Sequence, residues 1–422
     1  MLRRARLTTR LYRQYSTSAT ADPYANFRKL RAFPFAFGES TAKAYMGLYA
    51  SAICDKDLLG SAVARFLGPF LGENWGIQPT RIVPLYFPAW IADAELKADV
   101  SYKDSPKTVD IQLQNVYLPG SDYQVLSSVP LVDIEGELIP SQREPKPWST
   151  DMMRQYDQDI SCLPFTLHPI AGFRALKDME TEVYPELKCR LDAVRESFVV
   201  HRPVLIPVYL AQYDVEETEG EKRSCTVFID ASSRSGGTYA FRSPDSLYNE
   251  YDTGVDDLAK TMDFLSPDNP HMFSFTAKRQ KFVGQGTVSL SPPRDIYKAL
   301  TNWISMTIRN PEVIEEVAKC SQDQLGEMDS DPRIRVYDTL DRAETGVWME
   351  LGAEKMMVRR IIERIDEQVQ EMDEDVPAHM EIPIKHLQGQ EQALEEKRAE
   401  LEPSWWKDYL AQKLKKQDTQ SP

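Results

Sequence analysis

Four carboxylates, Asp93, Glu95, Asp99 and Asp110, recur in two short runs that alternate apolar and polar residues. Alternation sends successive side chains to opposite faces of a strand, so these acids can share one face. Paired carboxylates can act as acid and base when burial drives their pKa values apart. Lys97 and other polar neighbours lie among them, which favours a solvated face, because half-exposed antiparallel sheets turn charge outward. The chain contains no GxSxG, GxxxxGK[ST], HExxH or GxGxxG pattern. Gly284-Gln285-Gly286 lacks a third glycine and a βαβ setting, and it reads as a turn. The histidines at 168, 201, 271, 379 and 386 are scattered, with no HxH or HxxxH pair to seed a metal site. The cysteines at 54, 162, 189, 225 and 320 form no CxxC, which argues against a zinc ribbon or disulfide framework and fits a reducing compartment. No catalytic residue, metal site or cofactor is assigned on these grounds.

Two other clusters suggest chemistry at a surface. Near the C-terminus, Trp405, Trp406, Tyr409, Leu410 and Leu414 share one helical face, with Lys407, Lys413, Lys415 and Lys416 beside it. A basic helix with an aromatic face can lie in a membrane interface, lysines toward anionic headgroups. Trp405, Trp406, Tyr409, Leu410, Lys413 and Leu414 are therefore the expected membrane or partner contacts; the competing expectation is docking on the chain's own core. At the other end, residues 1–21 hold Arg3, Arg4, Arg6, Arg10 and Arg13, no acid, and Leu7 and Leu11 on one helical face. Arg-rich, hydroxyl-rich and acid-free is the composition of a mitochondrial transit peptide. Arg13-Gln14-Tyr15-Ser16 resembles the arginine–aromatic–small site cut by the matrix processing protease.

The elements that must position these residues follow from periodicity. Residues 40–72 carry apolar residues at helical spacing. Then comes PLYFPAWIADAEL (84–96), whose Ala92, Ala94, Leu96, Ala98 and Val100 alternate with polar residues. A polar turn and a return strand with Val109, Ile111 and Leu113 complete a β-hairpin. PVLIPVYLAQYDV (203–215) matches the first stretch in kind at most columns, and it too is followed by a charged turn and a strand, here with Cys225, Val227 and Ile229. Leu187, Leu191, Val194 and Phe198 predict a helix before it. The two PxxxP pairs predict strand starts or edges, since proline donates no ladder hydrogen bond. Residues 130–165 read as a proline-rich crossing loop, and Asp295 to Ile308 as a helix. In the last ninety residues, Val358, Ile361, Ile362, Ile365, Val369 and Met372 stripe a charged helix.

The expected fold class is α+β: an antiparallel sheet of two similar helix–hairpin units, followed by a mostly helical C-terminal region. The expected organisation is a transit peptide over 1–21, an α+β core over 22–310 with repeat-like units at about 40–116 and 185–232, and an acidic helical region over 311–422. The chain has 422 residues and a formal net charge of −15, which disfavours sequence-independent nucleic-acid binding; Lys278-Arg279-Gln280-Lys281 is the best local exception. No run of 18 apolar residues exists to span a membrane. These features predict a non-catalytic interaction or assembly protein of the mitochondrial matrix or the matrix face of the inner membrane. Its expected partners are a mitochondrial protein and, through the C-terminal helix, anionic lipid. Two alternatives remain: an enzyme or small-ligand binder with its site between the hairpin units, and a mitochondrial ribosome or RNA accessory factor.

Overall fold

The computed structural model describes residues 24, 27–54, 57, 59–64, 76–102, 105–127, 144–170, 180–184, 187–216, 222–232, 238–242, 272–274, 286–288, 311–321, 328–371 and 378–420. The transit-peptide segment, the basic run at 278–281, Gly284 and Gln285, and the helix expected over 295–308 lie outside the described residues.

The architecture is α+β. The strands are β1 (Arg31–Ala32), β2 (Arg81–Tyr102), β3 (Ser105–Pro119), β4 (Lys146–Pro147), β5 (Arg154–Gln155), β6 (Gln158–Asp159), β7 (Ser161–Cys162), β8 (Glu180–Tyr184), β9 (Leu187–Glu216), β10 (Lys222–Asp230), β11 (Thr238–Arg242), β12 (Met272–Ser274) and β13 (Gly286–Val288). The helices are α1 (Glu39–Cys54), α2 (Gln124–Ser127), α3 (Pro311–Ser321), α4 (Thr339–Glu371), α5 (Ala378–Glu400) and α6 (Ser404–Gln420). One sheet runs β12-β11-β10-β9-β2-β3-β13, mostly antiparallel, with short strands β1, β4, β7 and β8 added beside this path.

The two quoted stretches are paired with each other at the centre of this sheet. Pro84 lies opposite Tyr209, Phe87 opposite Ile206, and Trp90 opposite Pro203. From Leu85 to Ala94 and from Phe198 to Val208 nearly every side chain is buried, on both faces. This corrects the expectation of one buried face and one wet one. Continuous apolar runs are what a strand covered on both sides requires, and the alternation that suggested a half-exposed strand begins only near Glu95. One face packs Leu30, Phe35, Phe37, Met46, Tyr86, Trp90, Phe165, Tyr209 and Val227 together. The other packs Phe33, Leu85, Phe87, Ile91, Val204, Ile206 and Tyr337.

The prolines sit within these strands rather than at their starts. Pro88 accepts from the Gly120 N–H at 2.9 Å, and Pro207 from the Ala231 N–H at 2.8 Å. In a strand a residue's N and O point to the same side. The missing proline N–H therefore faces away from the β2–β9 ladder, which loses no hydrogen bond.

Two further expectations are corrected. Residues 187–198 form the start of β9, not a helix, pairing with β2 from Leu187↔Tyr102 to Phe198↔Glu95. Extra residues on β9 break the register there, between Glu95/Leu96 and again between Ala98/Val100. Such bulges disturb the period of two and leave spacing that mimics a helix. Within the hairpins, the residue opposite Ala92 is Val116, while Val109 lies opposite Ala98; opposite Ala211 is Val227. Finally, residues 144–165 are more than a loop, since they contribute β4 to β7 and the buried side chains Met152, Ile160 and Phe165. At the C-terminal end α4 and α5 pack on each other, and α4 also meets β3. Ile362 of the expected stripe is buried, while Ile361 is 49% exposed.

Candidate functional site

The densest polar constellation lies where β2 and β9 meet α4. Arg202 interrupts the apolar run of β9, and its side chain is wholly buried. Nη1 pairs with Asp93 Oδ2 on β2. Nη2 reaches Asp341 Oδ2 of α4 at 3.2 Å and Thr345 Oγ1 at 3.3 Å. Asp341 uses its other oxygen to accept from Arg335 Nη2 at 2.8 Å. Asp93 Oδ1 accepts from the backbone N–H of Asn115 at 2.6 Å. Asn115 has φ of 53° and sits where the β2–β3 register shifts, so the carboxylate satisfies an amide that the irregular ladder leaves over. Burial works against the Arg202 charge, but Asp93 and Asp341 more than offset it and raise its pKa. Two cations, Arg202 and Arg335, thus meet two anions, Asp93 and Asp341, and the cluster is balanced.

A second ionic contact lies one pleat along the same face. Glu95 pairs with Arg398 of α5 at 2.5 Å and accepts from Gln112 Nε2 at 3.1 Å. Arg398 lies over the Trp348 ring at 3.9 Å. A Cβ on Gly352 would stand 2.7 Å from Glu95 Oε1 and 3.0 Å from Arg398 Cζ, so the glycine leaves room for this ion pair. The four carboxylates therefore separate. Asp93 and Glu95 are covered by the C-terminal helices, which corrects the solvated reading for those two. Asp99 is exposed and accepts from Thr108 Oγ1 at 2.6 Å. Asp110 pairs loosely with Lys97 at 3.8 Å.

On the aromatic side, His201 is completely buried, and burial, with the charges of Arg333 and His168, pushes its pKa down to about 3. Its backbone is fixed by Arg333 and Arg335, whose O and N pair with it at 2.9 and 2.8 Å. So weakly basic an imidazole takes up no proton near neutral pH, which makes it a poor general base. Among the described residues, no group of three His, Cys, Asp or Glu could hold a metal ion.

The C-terminal aromatic residues are placed against the chain itself. Trp406 is buried with Phe198, Val200, Trp348 and Met349, and Trp405, Tyr409 and Leu410 pack on that group. Phe198 lies 4.9 Å from Trp406 and 5.7 Å from Trp405, centroid to centroid. Arg335 lies over Trp405. Lys413 and Leu414 face outward, Leu414 at 62% exposure. Of the residues expected at a membrane or partner surface, Trp406 is buried in intramolecular docking, Trp405, Tyr409 and Leu410 are half-buried against the same group, and Lys413 and Leu414 are exposed. Among the described residues no helix is long and apolar enough to cross a membrane.

The sequence reading missed Arg202, Asp341 and Arg398, which lie far from Asp93 and Glu95 along the chain. One signal was present: a lone arginine in FVVHRPVLIPVYL, because a cation in a buried run must be paired. The comparisons supply no precedent: no family model matches this chain, and neither a curated protein nor a solved structure matches it.

Proposed function

We propose that the chain is a non-catalytic interaction or assembly protein of the mitochondrial matrix or the matrix face of the inner membrane, built around two similar hairpin units. The observation that carries the non-catalytic reading is the occupation of the seam between PLYFPAWIADAEL and PVLIPVYLAQYDV, where an enzyme or ligand site was the alternative. The stretches meet in a continuous ladder, and the charged groups beside it are matched to one another through Arg202, Asp93 and Asp341. A catalytic pair needs groups whose environments leave them poised for proton transfer; these are locked in structural ion pairs. The two-unit reading is supported by the matching terminal hydrogen bonds at Pro88 and Pro207. Among the described residues, α1 leads into the first unit, while the stretch that leads directly into the second is strand rather than the expected helix. The mitochondrial assignment rests on the composition of residues 1–21. The net charge of −15 weighs against the RNA accessory reading.

The test is the native size of the tagged full-length protein in gently lysed, fractionated mitochondria. The reading expects import and migration in an assembly well above the 48.3 kDa of one chain. A cytosolic protein would overturn the location, and an imported protein that runs only as a monomer would overturn the assembly role.

A further inference from the structure

We infer that the core is an internal pseudo-dimer with exchanged arms: each hairpin carries a groove for an extended apolar Pro-Phe segment, and each groove is filled by the segment that precedes the other hairpin. This deepens the two-unit reading and rests on it.

The segments are LRAFPFAFG (30–38) and ISCLPFTLH (160–168). Pro34-Phe35 and Pro164-Phe165 fall in the same columns, flanked by Phe33 and Leu163 before and by Phe37 and Leu167 after. Leu30, Phe35, Phe37, Ile160, Phe165 and Leu167 are all buried. Each segment docks in the same five ways. Two residues form a parallel pairing just inside a PxxxP pair: Arg31 and Ala32 against Val204 and Leu205, Ser161 and Cys162 against Leu85 and Tyr86. The next N–H donates to the second of those residues, Phe33 to Leu205 at 3.0 Å and Leu163 to Tyr86 at 3.1 Å. The residue after Pro-Phe donates to the end of the return strand, Ala36 to Ala231 O at 2.7 Å and Thr166 to Gly120 O at 2.8 Å. The phenylalanine ring meets the aromatic residue two positions past the second proline, Phe35 on Tyr209 at 5.1 Å and Phe165 on Trp90 at 4.7 Å. That aromatic residue then closes the groove with its polar tip. Tyr209 Oη donates to Phe37 O at 3.1 Å, and Trp90 Nε1 donates to Leu167 O at 2.9 Å.

At every contact the partner in one hairpin is the counterpart of the partner in the other: Leu85 and Val204, Tyr86 and Leu205, Trp90 and Tyr209, Gly120 and Ala231. Shared periodicity of two amphipathic strands explains matching side-chain types, but it does not explain matching hydrogen bonds to a third element. The path is also crossed. Segment 30–38 precedes β2 yet lies on β9 and β10, while segment 160–168 precedes β9 yet lies on β2 and β3. Reciprocal exchange of an element is how two copies of a small unit interlock, and here both copies belong to one chain. The grooves differ in one telling detail. A Cβ on Gly120 would stand 2.7 Å from the Phe165 ring, whereas Ala231 carries a Cβ at the corresponding place. The Phe165 groove is the tighter one, in keeping with its larger Trp90.

The experiment is residue-resolved hydrogen exchange on the full chain, unmodified and carrying Phe35→Ala or Phe165→Ala. In the unmodified protein the Gly120 and Ala231 amides should both be slow; if only one is protected, the two-unit reading itself fails. Phe165→Ala should speed exchange at Leu163, Thr166 and Gly120 about tenfold or more through local opening, with Phe33, Ala36 and Ala231 largely unchanged. Phe35→Ala should do the reverse. If Phe165→Ala releases Ala36 and Ala231 as much as Thr166 and Gly120, or releases neither set, the exchanged-groove inference is overturned while the two-unit reading stands. Should an alanine variant not fold, Phe35→Leu and Phe165→Leu report on the same amides. No partner enters the measurement, so its outcome is independent of the assembly role.

Discussion

The two faces of the central sheet are held by different chemistry. On one, aromatic rings interlock and their polar tips donate to backbone carbonyls, as Tyr209 does to Phe37 and Trp90 to Leu167. On the other, charge joins the sheet to the C-terminal helices: Arg202 to Asp93 and Asp341, and Arg398 to Glu95. The aromatic face tolerates modest change, because each contact is one among many in a large apolar area. The ionic face does not, since removing one member leaves its partner charged and buried. Ion pairs add little net stability compared with apolar packing, because desolvation offsets their attraction; here they join Arg202 to Asp341 of α4 and Glu95 to Arg398 of α5.

Variants on the two faces should separate by size. Arg202→Met takes the buried cation from Asp93 and leaves Asp341 with Arg335 alone, and it should cost about 3–5 kcal/mol, read by urea or thermal unfolding; a loss under about 1 kcal/mol would show that the ionic face is no more sensitive than a surface pair. Acid is the next lever, and it acts on the aromatic side through His201. Below its ordinary pKa of 6.5 the unfolded chain takes up a proton there that the folded chain refuses until about pH 3. The unfolded state thus binds more protons between those values, so this contribution to stability is full above pH 6.5 and is lost as pH falls toward 3. His201→Leu should remove up to about 1.4 kcal/mol per pH unit of that slope; an unchanged slope would assign acid sensitivity to the carboxylates instead. Smallest is Tyr209→Phe, which deletes the hydrogen bond to Phe37 O and should cost about 1–2 kcal/mol. If it matched Arg202→Met in the same unfolding measurement, the contrast between the faces would dissolve.

The aromatic face was the legible one. PLYFPAWIADAEL and PVLIPVYLAQYDV locate the sheet centre because continuous apolar runs with aromatic and β-branched residues favour buried strands. Their mutual pairing was not legible, since register depends on partners far along the chain. The strand at 187–198 escaped because bulged registers scramble its period. Asp93 and Glu95 looked solvated because their neutralising partners, Arg202 and Arg398, come from other elements; a carboxylate's environment is a tertiary property. Trp405 and Trp406 illustrate the same limit. An aromatic face on a basic helix looks alike whether it meets lipid or, as here, Phe198 and Trp348.

The crossed path also has a consequence in time. Arg31 is made early, but its ladder partner Val204 lies far downstream, and Ala36 waits for Ala231. During synthesis, the first hairpin must stand with its groove empty until residues 160–168 arrive, while its own arm has nowhere to dock. Contacts this distant along the chain slow folding and prolong exposure of apolar edges. The first arm therefore stays without its groove until residue 231 is made, and truncation anywhere before that residue leaves a groove or an arm without its mate.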